Sequence, residues 1–190
     1  MKKKLVKTSV EVLLKSASIK KARRQKIWSK SRNLITVDML WPRSSIAKKT
    51  SAREANFVKN EADFSNEEWA KRILFREDVE GHTALAVGIS ESLNTEMIEK
   101  FLRLTAKYAF KTASSLVDKY TVGISDIASA PLDALAATTG TYPGPKTILQ
   151  GVVDIPEVPE SGSSIEVRVP LHAPKETEVL GELVLEVVSL

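Results

Sequence analysis

The sequence predicts a mainly-β protein of the α+β class, an antiparallel β-sandwich of about seven strands with an inserted helical hairpin. Three observations predict this class. Apolar and polar residues alternate near both ends of the chain, as they do in half-buried strands. A hairpin pattern occupies 72–90, and apolar residues recur at helical spacing within 92–140. We expect a single domain over 1–190, with strands from both ends of the chain in one core.

Two alternating segments open the chain, at 4–15 and 34–41. In the first, the residues on one face are apolar or β-branched: Val6, Thr8, Val10, Val12 and Leu14. In the second, the corresponding residues are Ile35, Val37, Met39 and Trp41. Each pattern predicts a strand with one buried face. Pro42 ends the second strand, because proline donates no hydrogen bond to a ladder.

The remaining strands are predicted in the middle of the chain and at its end. The segment 72–90 predicts two strands around a turn at Glu80-Gly81. The segment 147–190 predicts three more strands, at Thr147–Ile155, Ile165–Leu171 and Val179–Val188. Within the second of these three, Pro170 indicates an edge strand.

A short helix is predicted just before the hairpin. Ser65 and Glu68 match a capping box, and Phe64 precedes it at the spacing that lets it pack on Trp69. The segment 43–63 before this helix is polar and has no sustained period, so it is interpreted as a long loop.

The insertion 92–140 is predicted to form a helical hairpin. Its longest helix spans 95–119, and an alanine-rich second helix ends at Gly140. The apolar surface of the long helix is wider than one buried face requires. Two interpretations stay open: the hairpin packs over the sandwich, or it mediates self-association.

Charge is distributed unevenly along the chain. The formal net charge is +4, but residues 1–50 contain 15 basic and two acidic residues, a net of +13. The remaining 140 residues contain 13 basic and 22 acidic residues, a net of −9. This contrast predicts either a contact with a polyanion or pairing between the basic and acidic parts, within one chain or between copies.

The basic loop 16–33 is the main candidate binding segment. Its charged and aromatic residues are Lys20, Lys21, Arg23, Arg24, Lys26, Trp28, Lys30 and Arg32. Such a run can neutralise several phosphates while the tryptophan stacks on a base. The alternatives are a contact with an acidic protein surface, an anionic lipid surface, or a solvated loop between two strands.

Several chemistries are disfavoured by composition. The chain has no cysteine and two histidines, which removes disulfides and thiolate sites and leaves little for a metal centre. The segment 140–147 resembles a phosphate-binding loop, but Pro145 precedes the lysine and offers no N–H to a phosphate. No calcium loop or nucleophile elbow is present in the sequence. We therefore expect no cofactor, no metal and no small-molecule substrate.

The sequence also bears on location. The apolar positions after Lys2–Lys4 are interrupted by charged residues, which is not typical of a signal peptide. No stretch approaches the roughly 20 apolar residues of a membrane-spanning helix. We expect a cytoplasmic protein without a transmembrane segment.

These observations favour a non-enzymatic structural or protein-interaction module, a subunit of a larger or symmetric assembly. Its partner would be another protein or a second copy of the chain. The alternative is a polyanion-binding or coat-like protein that contacts nucleic acid through 20–32. A third hypothesis, an enzyme with a site where the sandwich meets the insertion, has no motif in the sequence to support it.

Overall fold

The computed structural model describes residues 7–20, 31–42, 46–80, 83–90, 96, 147–155, 158–173 and 176–190. These residues form nine strands and one short helix, α1, at Trp69–Arg72. The strands, in chain order, are β1 Lys7–Ile19, β2 Ser31–Pro42, β3 Ile46–Phe57, β4 Glu61–Asp63, β5 Ile73–Glu80, β6 Thr83–Ser90, β7 Thr147–Ile155, β8 Ser164–His172 and β9 Val179–Ser189.

All neighbouring strands are antiparallel and belong to one sheet. The order is β3-β2-β6-β7-β8-β9-β1-β4, and β5 also pairs with β1, on the side of β4. The sheet nearly closes on itself, because β3 at one end meets β4 and β5 at the other. The predicted antiparallel, mainly-β class is confirmed. The predicted sandwich of two separate sheets is not confirmed, because hydrogen bonds connect all the strands in one sheet.

The two ends of the sheet meet through side chains. Lys49 of β3 forms an ion pair with Glu77 of β5, and Arg53 of β3 forms one with Glu67. The Arg53 guanidinium also lies 5.6 Å from the centre of the Phe64 ring. Charged side chains therefore cover the outer edge of β3, as they commonly do on edge strands of natural sheets.

The core lies inside this curved sheet and follows the alternation of the sequence. Its buried members include Val12, Leu14, Ile35, Val37, Leu85, Val87, Leu183 and Leu185. Burying each such side chain contributes about 1.5–3 kcal/mol. The five predicted strands from 72–90 and 147–190 are confirmed within a few residues.

The outward face of β2 and β6 is covered as well. All eight residues of β6 are buried, and its outward positions are small, with Ala84 and Ala86 packed together. The buried polar groups on this face have partners: the Thr36 hydroxyl donates to Gly88 C=O at 3.2 Å, the Ser90 hydroxyl accepts from Leu34 N–H at 2.9 Å, and the Asp38 carboxylate accepts from the Thr50 hydroxyl. Small side chains and paired polar groups are what a covered sheet face requires.

The predicted polar loop at 43–63 is wrong. Most of it forms β3 and β4, and β3 pairs with β2 along its whole length, from Ser31 opposite Phe57 to Pro42 opposite Ile46. Among residues 49–57 of β3, whose burial the structure describes, only Ala55 and Phe57 lie in the apolar core, so this part of the sequence lacks the alternation that marks a strand. Pairing with an apolar neighbour, not its own hydrophobicity, holds β3 in place.

The boundaries of the basic loop 16–33 also need correction. The strand predicted at 4–15 extends to Ile19 as β1, and β2 begins at Ser31 instead of residue 34. Polar residues at both ends of the predicted loop therefore belong to strands. They do so because they pair with β9 and β4 on one side and with β3 on the other.

The predicted capping box is wrong in its details. The residue that precedes α1 is Glu68, and it makes no side-chain cap. Ser65 instead donates its N–H to the Asp63 carboxylate at 2.8 Å, which forms a local turn. The helix is only one turn long, since Ile73 begins β5.

The predicted helical insertion 92–140 lies outside the described residues except for Glu96, which is helical. On either side of 91–146, Ser90 of β6 pairs with Thr147 of β7.

The turn between β3 and β4 contains two residues in the left-handed region. Val58 and Glu61 exchange backbone hydrogen bonds of 2.8 and 3.1 Å around Lys59 and Asn60, whose φ angles are 51° and 69°. This geometry matches a two-residue type I′ turn, which favours Asn-Gly. Lysine at the first position is an uncommon choice, which explains why the sequence does not signal a hairpin here.

We predict that the double substitution Lys59→Asn with Asn60→Gly raises the free energy of unfolding by about 0.5–1 kcal/mol, because both residues then suit positive φ. Chemical denaturation measures the change. In the matched control, Asn60→Val places a β-branched residue at positive φ and lowers stability by roughly 1–2 kcal/mol. Equal stability for the three proteins would contradict the assigned turn.

Candidate interaction surfaces

Lys20 marks the point where the basic segment leaves the sheet. Its N–H donates to Leu180 C=O at 2.7 Å, and the N–H of Ile19 donates to Asn60 C=O at 2.9 Å. The β3–β4 turn and the start of β9 therefore flank the base of the segment. We call this end of the sheet the Lys20 rim, formed by Lys20, Val58, Lys59, Asn60 and Val179.

The Lys20 rim exposes two apolar side chains. Val58 is 60% exposed and Val179 is 41% exposed. The exposed charged residues at or beside the rim are two lysines and two glutamates: Lys20, Lys59, Glu61 and Glu178. The described part of the rim is consequently mixed in charge. Polyanion binding there would depend on the basic residues of 21–30.

The structure locates two of the eight candidate binding residues. Lys20 is exposed at the rim, and Arg32 lies in β2, where its backbone pairs with Asn56. The other six lie outside the described residues: Lys21, Arg23, Arg24, Lys26, Trp28 and Lys30. Their joint action as a site stays a prediction.

Part of the charge contrast between the two halves of the sequence is neutralised inside the chain. Lys7 forms an ion pair with Asp78 at 2.7 Å, Lys15 forms one with Glu166, and Lys49 forms one with Glu77. Each pair joins a basic residue of the first 50 positions to an acid of the later chain. Of the alternatives that the charge contrast left open, pairing within one chain is therefore present.

A buried carboxylate anchors α1 to the outer face of the sheet. The side chain of Glu11 in β1 is 2% exposed. It accepts a hydrogen bond from Trp69 Nε1 at 2.9 Å and another from Arg76 Nε at 2.6 Å. A buried carboxylate needs such partners, because removing it from water without them is costly. The sequence did not reveal this cluster, because its members lie on three separate elements.

Arg72 connects the same cluster to β9. Its guanidinium donates to Leu14 C=O at 3.2 Å and to the Glu186 carboxylate at 3.0 Å, and it lies 5.8 Å from the Trp69 ring. Trp69 is nevertheless 46% exposed. The contacts of this cluster are those of a structural anchor, which holds a single helical turn in place.

We predict that Trp69→Phe lowers the free energy of unfolding by about 1.5–3 kcal/mol, since it removes a hydrogen bond to a charged acceptor and retains most of the ring. Chemical denaturation measures the loss. The control is the same substitution in a Glu11→Gln background, where the effect should be clearly smaller because the acceptor is no longer charged. Equal effects in both backgrounds would show that the loss comes from packing alone.

The outer face of β8 carries a balanced ionic network. Glu166 pairs with Lys15 of β1 and with Arg168 of its own strand, and Arg168 also pairs with Glu182 of β9 at 2.9 Å. Hydrogen bonds from Lys15 and then Arg168 lower the pKa of Glu166 below its usual range. The hydrogen bond to Glu166 is the main cause that raises the pKa of Arg168. Two cations and two anions leave this face without net charge.

The lowered pKa of Glu166 predicts a pH dependence. The stabilisation is present above the pKa that a glutamate has in the unfolded chain, about 4.3, and is lost as the pH falls through the lower folded-state value. Glu166→Gln should therefore destabilise the protein at pH 6–7, and the difference from the natural protein should shrink towards pH 3. Urea unfolding across this range tests the effect. A difference that does not change with pH would contradict it.

An open depression of about 330 Å³ lies near the C-terminal end of β9, lined by Ser9, Arg76, Glu77, Asp78 and Leu190. Its ionisable side chains already have partners within the fold: Arg76 pairs with Glu11, Glu77 with Lys49, and Asp78 with Lys7. These pairings account for the charged groups as structural contacts.

The described residues contain no group of three or more histidines, cysteines, aspartates or glutamates placed to hold a metal ion. No helix among the described residues has the length and apolar character to cross a membrane. Of the two histidines, His82 lies outside the described residues, and His172 Nδ1 lies 2.9 Å from Thr177 C=O.

Comparisons with known proteins identify no family. No family model matches the chain, and no curated protein matches it. One solved structure, described as "CC2D1B coordinates ESRCT-III activity during the mitotic reformation of the nuclear envelope", is similar with a TM-score of 0.44 and 10% sequence identity. The match covers 99% of this chain and 57% of that one. A score this low establishes neither a shared fold nor a shared function.

Proposed function

We propose that the chain is a non-enzymatic protein-interaction module that works as a subunit of a larger or symmetric assembly. One observation carries the proposal: the ladder between β7 and β8 is limited to the single pair Gln150 and His172. Most of one side of β8 is therefore without a paired strand in the described part of the chain. An unpaired strand edge is a template for another chain.

The ionisable groups support the same function. Those around the open depression and on the outer faces of β1, β8 and β9 are engaged in ion pairs within the fold. Such pairs order the surface and can set which partner fits it. The cysteine-free composition supports a reducing compartment, so the proposal includes a cytoplasmic location.

The proposal predicts a defined oligomer or a stable complex with a protein partner. Light scattering at low and high salt, on protein freed of nucleic acid, should give a mass above 20.9 kDa at both salts or show a co-purifying protein. Apolar and backbone contacts would keep such a complex together when salt screens surface charges. A clean monomer at both salts, with no protein captured, would contradict the proposal.

The alternative function is binding of a polyanion such as nucleic acid through 20–32. The observation that favours it is Lys20, which is exposed where the basic segment leaves the sheet. In this case the purified protein should carry a raised 260/280 absorbance ratio, and it should lose the bound polymer in high salt.

A charge-removal series separates the two functions. Replacing Lys20, Lys21, Arg23 and Arg24 by alanine should abolish polyanion binding, and each removed phosphate contact should reduce the slope of log K against log salt by about 1. Lys71→Ala, an exposed cation of α1, serves as the control. Assembly that survives the fourfold substitution supports the interaction module.

A further inference from the structure

The open side of β8 has a defined set of hydrogen-bonding groups. Ser189 N–H donates to Ser163 C=O at 3.0 Å, so this pair bonds directly across the β8–β9 ladder. In an antiparallel ladder the bonded pairs alternate. The odd-numbered residues of β8 therefore bond to β9, and the even-numbered residues direct their N–H and C=O groups to the side of β7.

The alternation identifies the backbone groups that a second chain could bind. They belong to Ser164, Glu166 and Arg168, which are exposed residues, and to Pro170, which has a carbonyl only. β7 meets this side where Gln150 pairs with His172, and a Cβ on Gly151 would lie 2.2 Å from Pro170 C=O. From Ser164 to Arg168, no described residue of the chain completes the ladder.

We propose that β8 pairs antiparallel with β8 of a second copy, about a two-fold axis at Val167, and so forms a symmetric dimer. This inference rests on the proposed function and names its partner. Pairing about Val167 places Glu166 of each copy opposite Arg168 of the other. Both residues belong to the even-numbered set, so their N–H and C=O groups on this side can form four hydrogen bonds across the axis.

Charge selects this register over the others. An axis at Glu166 would place the Glu166 carboxylates of the two copies opposite each other. An axis at Arg168 would do the same with the two Arg168 guanidinium groups. Like charges directly opposite each other destabilise a sheet, whereas opposite charges stabilise it. The axis at Val167 is the only one that pairs Glu166 with Arg168. It also makes the interface isologous, as a two-fold dimer requires.

The surroundings of β8 fit this pairing. Glu166 and Arg168 belong to a network with Lys15 and Glu182 that is neutral within one copy, so dimerisation extends it and adds no net charge. Ile165, which is 36% exposed, lies at the end of the same edge. The edge of β3 is unlike this side of β8, because ion pairs from Lys49 and Arg53 already cover the edge of β3.

The test compares charge variants by light scattering over a concentration series of the full chain. The natural protein should approach twice 20.9 kDa. With Arg168→Glu, residue 168 of each copy is a glutamate that faces Glu166 of the other copy. This repulsion should raise the dimer dissociation constant about tenfold or more. The double swap Glu166→Arg with Arg168→Glu should restore the dimer. Lys71→Glu is the matched control, since it changes the net charge equally at an exposed site away from β8.

A second measurement does not depend on the variants. The amides of Glu166 and Arg168 should exchange with solvent more slowly as the concentration of the natural protein rises, because they become hydrogen-bonded only in the dimer. Circular dichroism confirms that each variant is folded, and the double swap separates loss of pairing from loss of folding.

The outcomes distinguish this inference from the function on which it rests. An oligomer that Arg168→Glu leaves intact, with no change in exchange at residues 166 and 168, overturns pairing through β8 and leaves the assembly function standing. A natural protein that stays monomeric over the whole series also overturns it. Capture of a protein partner by that monomer would then retain the interaction function, and its absence would remove both.

Discussion

Strand β1 is the element on which the rest of the sheet depends. It is hydrogen-bonded on one side to β9 and on the other to β4 and β5. The first described strand of the chain is therefore paired directly with the last. The two strands approach so closely that a Cβ on Gly181 would lie 2.5 Å from the carbonyl oxygen of Ser18. Because these contacts span almost the whole sequence, the core is complete only when the C-terminal strand is in place.

The basic N-terminal part of the chain has two separate uses for its charge. Lys7, Lys15 and Lys49 stabilise the sheet by pairing with acids of later strands. Lys20 instead lies exposed at the end of β1, where the most basic segment of the sequence begins. The total charge of a segment thus does not reveal its function, because the same residue type closes a sheet edge in one place and faces solvent in another.

Main-chain pairing is missing or short at two places in the sheet, and the contacts differ between them. Where β3 meets β4 and β5, ion pairs and the stacking of Arg53 on Phe64 replace main-chain hydrogen bonds. Where β7 meets β8, one residue pair and a close approach at Gly151 hold the strands, and the remaining edge of β8 has a charge pattern that is complementary to itself. A strand edge covered by charged side chains is protected from pairing with another chain, whereas an edge whose charge pattern is complementary to itself suits pairing between identical subunits.

The sequence by itself determined the antiparallel β class and the strands with clear alternation. It determined these because period-two alternation is a local property of the chain. The edge strand predicted from Pro170 is not found in the sheet order, because β8 lies between β7 and β9. Only the tertiary structure decided that the polar segment 46–57 is a strand, since twelve paired positions on β2 supply the stability that its own side chains lack. It also decided that Glu11 is buried between Trp69 and Arg76, because a charge can be buried only where distant elements bring partners to it.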